Sequence, residues 1–61
     1  MQYPMRGERV VVVRQSGLEL TARRDYMLDS FFRERDKLHW LDDDNKFADV
    51  RFDPVVSWRP L

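Results

Sequence analysis

Glu8-Arg9-Val10-Val11-Val12-Val13-Arg14-Gln15-Ser16-Gly17-Leu18-Glu19-Leu20 is the stretch on which the fold turns. Its four consecutive β-branched residues are stiff at χ1 and favour extended backbone. An uninterrupted apolar run implies that both faces of the strand are at least partly covered. Ser16-Gly17 reads as a two-residue hairpin loop, and Leu18-Glu19-Leu20 alternates as the returning strand. A two-residue loop sets Gln15 opposite Leu18, Arg14 opposite Glu19 and Val13 opposite Leu20. One face then carries Val11, Val13, Leu18 and Leu20. The other carries Val10 and Val12 with an Arg14–Glu19 cross-strand ion pair.

Outward from this hairpin (residues 8–20), residues 1–7 read as an irregular arm punctuated by Pro4 and Gly7. On the other side, Thr21 is a candidate N-cap, and the stretch from Ala22 to Leu38 or Trp40 holds neither Gly nor Pro. At helical spacing Met27, Leu28, Phe31, Phe32 and Leu38 share one broad face, so a helix is predicted over 22–40. Asp42-Asp43-Asp44 opposes a helix dipole at its C-terminal end, so the chain should leave the helix before them. Residues 46–59 read as one or two further strands. Ala48, Val50 and Phe52 face the helix, Phe47 points away, and Val55–Trp58 follows Pro54 as an edge strand. The expected fold is α+β: a small antiparallel sheet, β-β-α-β or β-β-α-β-β, with one helix packed on one face.

The chain has 61 residues, which sets one domain, residues 1–61. A domain of this size buries only about 60% of the surface its unfolded chain exposes, and small folds often add a staple. The sequence has no Cys and one His, so it offers neither a disulfide nor a Cys/His zinc site. Eleven basic and eleven acidic side chains give a net charge of zero. They are unevenly spread. Residues 1–24 hold five arginines against two glutamates, and residues 25–53 hold five basic residues against nine carboxylates. No apolar run exceeds four residues, which excludes a membrane-spanning helix and a secretory signal core within this sequence. The expected compartment is the cytoplasm, that of the host cell if the chain is phage-encoded.

Candidate chemistry is sparse. His39 has no nucleophile motif near it in sequence, and no glycine-rich phosphate loop is present. Asp42-Asp43-Asp44-Asn45 lacks the Gly and terminal Glu of a calcium loop, because the alternation from Asp42 reaches Lys46. It reads better as a solvated loop, or as an acidic patch for a basic partner. The expectation is therefore no enzyme, no cofactor and no metal. Arg24 and Arg35 fall inside the apolar sector of the helical wheel. Either they snorkel to water or a carboxylate, or Arg35 anchors an interface beside aromatic neighbours. One helix covers one sheet face. The Val10, Val12 and Phe47 face, joined by Trp58, must then be covered by the folded-back termini or by another molecule.

The leading expectation is a small protein-binding module that occludes or bridges a partner, another protein or a second copy of itself. Its size and lack of catalytic residues suit an accessory protein, such as a phage-type inhibitor or regulator. Val10, Val12, Phe47 and Trp58 are the expected contact residues, with Arg35, Asp42, Asp43 and Asp44 as polar contributors. The alternative is a nucleic-acid-binding regulator that uses the basic N-terminal half, with Arg6, Arg9, Arg14, Arg23 and Arg24 as its patch.

Overall fold

A computed structural model of the chain describes residues 2–28 and 33–61. Four antiparallel strands form one sheet: β1 (Val10–Arg14), β2 (Glu19–Tyr26), β3 (Leu38–Asp42) and β4 (Val55–Pro60). Their order is β3-β2-β1-β4. The valine run is thus a central strand with a neighbour on each side, and its β-branched residues suit extended backbone.

The hairpin loop has three residues. Gly17 N–H donates to the Arg14 carbonyl (2.9 Å), and Arg14 N–H donates to the Leu18 carbonyl (2.9 Å). Gly17 lies at φ 94°, the left-handed position that closes a type I turn with a G1 bulge. The expected two-residue loop is therefore corrected to Gln15-Ser16-Gly17. The register shifts by one residue, to Val13↔Glu19, Val12↔Leu20 and Val10↔Ala22. Because side chains alternate across a strand, that shift changes which cross-strand residues share a face.

Val10, Val12, Leu20 and Ala22 now line one side of the sheet. Trp40 joins them opposite Arg24, and Trp58 opposite Val12. Val10 and Val12 have 0% exposure and Trp40 has 2%; together with Ala22, Ala48 and Val55 they form the core. The cover comes from the chain itself. After β3 it turns back through Asp43-Asp44-Asn45 and re-pairs with the outer edge of β3. Asp42 N–H donates to the Lys46 carbonyl and Ala48 N–H to the Trp40 carbonyl (2.8 Å each). Asn45, at φ 61°, repeats the role of Gly17. At the other end a bulge between Val13 and Arg14 in the β1–β4 register sets Val55 opposite Arg14, which brings Val55 to the core side.

No α-helix is present among the described residues, so the expected α+β class is corrected to a small all-β sheet. Residues 22–26 continue β2, and Leu38 to Trp40 begin β3. A single 3₁₀ turn, Arg33–Asp36, lies between them. Phe31 and Phe32, which supported the helical face, lie outside the described residues. The physical reason is pairing. With register extended to Val10↔Ala22, the backbone of β2 is used by β1 on one side and by β3 on the other. No strand spans residues 46–53: Ala48, expected to face the helix, packs into the sheet core, and Phe52, expected on the same face, sits in a turn with 91% exposure.

The hairpin tip is tied down. The Asp53 carboxylate accepts from Ser16 N–H and from Ser16 Oγ (2.8 Å each), and Gln15 N–H donates to the Pro54 carbonyl (2.8 Å). The N-terminal arm folds back over the sheet. Its type II turn needs the positive φ of Gly7 (84°), and Gly7 N–H donates to the Arg24 carbonyl (2.9 Å). No helix among the described residues is long and apolar enough to cross a membrane.

Candidate functional site: an arginine and aromatic corner

The folded-back arm places Tyr3 over the β2–β3 corner. Trp58 Nε1–H fixes the arm by donating to the Gln2 carbonyl (2.7 Å). Arg24 occupies the third inward position of β2, after Leu20 and Ala22. Its guanidinium carbon is 4.1 Å from the Tyr3 ring centre and 5.2 Å from that of Trp40. The two rings are 5.9 Å apart and tilted by 57°. These three separations close a triangle, so the guanidinium sits in the notch between two tilted rings. Cation–π attraction of about 0.5–2 kcal/mol per ring stabilises it there.

The other arginines of this half behave differently. Arg6 pairs with Asp25 (3.1 Å) and Arg23 with Asp25 (3.6 Å). Arg9 makes a two-pronged contact with Asp43 (2.8 and 3.2 Å), which raises its pKa by hydrogen bonding and charge. Arg59 pairs with Glu19, and Arg14 Nε donates to the Ala48 carbonyl (2.8 Å). Arg23 also donates to the Asp42 carbonyl (3.2 Å) and to Asn45 Oδ1. Asp25 is held below the ordinary carboxylate range, first by the Tyr26 N–H it accepts; burial opposes this, and Arg6 and Arg23 add to it. Arg24 has no hydrogen-bond acceptor among the described residues, and its Nε is buried. A buried donor left unmet costs about 1–3 kcal/mol, more when charged.

Beside this guanidinium lies a cavity of about 220 Å³ lined by Arg24, Leu38, His39, Trp40, Phe47 and Asp49. Leu38 is 38% exposed and Phe47 40% exposed, while Trp40 is the buried wall. The His39 ring lies 4.9 Å from Phe47 at 56°. The bridge Leu41↔Phe47 sets Phe47 at the rim, since it belongs to the segment that re-pairs with β3.

The residues singled out in the sequence are thus dispersed. Val10 and Val12 are fully buried and form core rather than surface, and Trp58 packs against that core as the anchor of the arm. Arg35 is exposed on the 3₁₀ turn. Asp42 Oδ1 caps its own turn by accepting from Asp44 N–H (2.8 Å) and Lys46 N–H (3.0 Å). Asp43 pairs with Arg9, and Asp44 is exposed. Only Phe47 of the expected apolar set lines the corner. Leu38 and Trp40 were not among the expected contact residues, and Arg24 was expected only in the basic patch of the nucleic-acid alternative. The usable signal was that Arg24 falls in an apolar sector under either periodicity.

Comparison with protein-family models, curated proteins and solved structures gave no match to this chain. The fold and the corner define a small antiparallel β-domain with an aromatic, arginine-floored surface cavity.

Proposed function

We propose that this chain is a small, non-catalytic protein-binding module that occludes or bridges its partner through the Leu38–Trp40 and Phe47 corner. The occupant is a peptide segment of another protein. The observation that carries this reading is the pairing of two half-exposed large apolar residues, Leu38 and Phe47, with a concavity walled by Trp40 and Arg24. Concave apolar sites with a few convergent polar groups are the usual form of a binding site, and Trp and Arg dominate binding energy at interfaces.

The nucleic-acid reading receives less support. Arg6, Arg9 and Arg23, three of the five arginines of its basic patch, each face a carboxylate of this same chain. Internal pairing cancels the extended positive potential that phosphate backbones require.

The test is site-specific photocrosslinking in the source cell, with a photoreactive phenylalanine at position 47 or at position 52. Phe52 is the control, because it is the more exposed of the two and does not line the cavity. A discrete adduct at 47 that is absent at 52 is expected. The adduct partner, once purified, should bind Phe47→Glu at least about thirtyfold more weakly than wild type, the scale of an interface hot spot. Phe52→Glu should bind as wild type does. Equal adducts at both positions, an adduct only with a second copy of the chain, or unchanged binding by Phe47→Glu refutes the proposal.

A further inference from the structure

We infer that the cavity beside Arg24 takes a carboxylate carried next to an apolar group, as presented by an acidic residue of a partner peptide with an apolar neighbour. This rests on the protein-binding reading above and adds the chemistry of the occupant.

Charge supplies the first argument. Arg6, Arg9, Arg23 and Arg59 each meet a carboxylate within the chain. Arg24 meets two rings, its buried Nε has no hydrogen-bond partner, and it makes no ion pair among the described residues. Contact with both rings holds the guanidinium in the notch beside the cavity. A planar fork held in place is the geometry that recognises carboxylates. The buried Arg24 Nε has no hydrogen-bond partner among the described residues. A carboxylate on the Nη edge within the cavity supplies the missing counter-charge.

The walls select the rest. Leu38, Trp40 and Phe47 offer apolar surface to the body of the ligand. Asp49 also lines the cavity, with its Oδ1 accepting from Val55 N–H (2.8 Å); it opposes each negative charge of a ligand, so it disfavours a phosphate dianion more than a monoanion. A second cavity, of about 250 Å³, is lined by Arg6, Arg23, Asp25, Tyr26 and Leu41 among others. It lacks this property, because Asp25 already pairs with both of its arginines.

The test is an NMR titration of the intact chain that follows backbone amides, the Trp40 indole and the Arg24 Nε–H. The probes are 3-phenylpropionate, its neutral isostere 3-phenylpropionamide, and phenyl phosphate. Saturable shifts at Trp40, Phe47 and Arg24 are expected with the acid, at about fivefold or greater preference over the amide. Arg24→Met should bind acid and amide alike, and Arg24→Lys should retain part of the preference. Equal binding of acid and amide by the wild type overturns the inference, as does a lack of saturable shifts or tighter binding of phenyl phosphate. This wild-type comparison stands even if Arg24→Met fails to fold. A crosslink at position 47 without acid preference removes this inference alone. Acid preference without a position-47 partner removes the protein-binding reading and leaves a small-acid site.

Discussion

Replacing Val12 with alanine and, separately, Val13 with alanine tests the register on which the whole fold depends. The two valines are sequence neighbours of identical chemistry. In the structure Val12 faces the core with 0% exposure, while Val13 is half-buried on the opposite side, between Glu19 and Ser57. Alanine at 12 removes two carbons from a closed site. At about 0.8 kcal/mol per buried methylene, the transfer loss is about 1.6 kcal/mol. The cavity left under Trp58 and Leu20 adds about 1 kcal/mol, for a total of about 2–3 kcal/mol. At Val13 the same deletion touches partly solvated carbons and costs under about 1 kcal/mol. The loss of strand propensity is common to both and cancels in the comparison. A chain of this length holds about 3–9 kcal/mol of stability in all, so the first substitution takes a large share. Urea unfolding followed by tryptophan fluorescence reads the difference, because Trp40 moves from burial to water. The melting temperature should fall by about 10–20 °C for Val12→Ala and by less than about 8 °C for Val13→Ala. An equal or larger loss for Val13→Ala, at unchanged denaturant slope, refutes the register and places the core on the other face.

Two further outcomes follow from local geometry. Gly17→Val should cost about 1–2 kcal/mol in the same urea assay, because φ 94° is left-handed backbone; no atom lies within 4 Å of an added Cβ, so the backbone alone sets this cost. Asp25 titrates below its ordinary value in the fold, so its contribution is present above the unfolded pKa near 3.8 and is lost as pH falls through the folded value. Asp25→Asn should therefore flatten the fall in stability between pH 5 and pH 2 seen by pH-dependent urea unfolding; an unchanged acid limb refutes that role for the Asp25 contacts.

Much of the sheet is visible in the residues, and its failures share one cause. The valine run announces a strand, and Ser16-Gly17 announces a turn. The loop length was the ambiguous quantity, because Gly17 serves either as the second residue of a two-residue loop or as the left-handed residue that closes a three-residue loop. The second choice moves the register by one and turns Val10 and Val12 into core partners of Leu20 and Ala22. The missed half of β2 has a similar origin. Thr21 to Tyr26 alternates, but two of its inward positions are Ala22 and Arg24, which hydrophobicity scales do not mark as strand core. Arg24 earns its inward place through ring contacts with Tyr3 and Trp40, residues distant in sequence. A pattern read along the chain contains neither ring. The same limit hid the arm, since Tyr3 and Gln2 acquire roles only when Trp58 is across from Val12.

Charge follows the same logic and bears on recognition. Along the chain, positive residues gather before position 24 and negative ones after it. Folding brings Arg6 and Arg23 to Asp25, Arg9 to Asp43, and Arg59 to Glu19. The Arg9–Asp43 and Arg59–Glu19 pairs are largely exposed and contribute little to stability, since water and salt screen them, while Arg23–Asp25 is half-buried. Their larger effect is on the field, because adjacent opposite charges cancel within a few ångströms and leave little potential at a distance. Long-range steering of a polyanion then has little to act on. On the proposed reading, recognition depends on short-range fit, in which apolar area at Leu38 and Phe47 supplies affinity and the Arg24 guanidinium supplies selectivity. The protein-binding proposal and the carboxylate inference therefore share a root in one asymmetry: among the strand arginines Arg23 and Arg59 face carboxylates of this chain and Arg14 a backbone carbonyl, whereas Arg24 faces two aromatic rings.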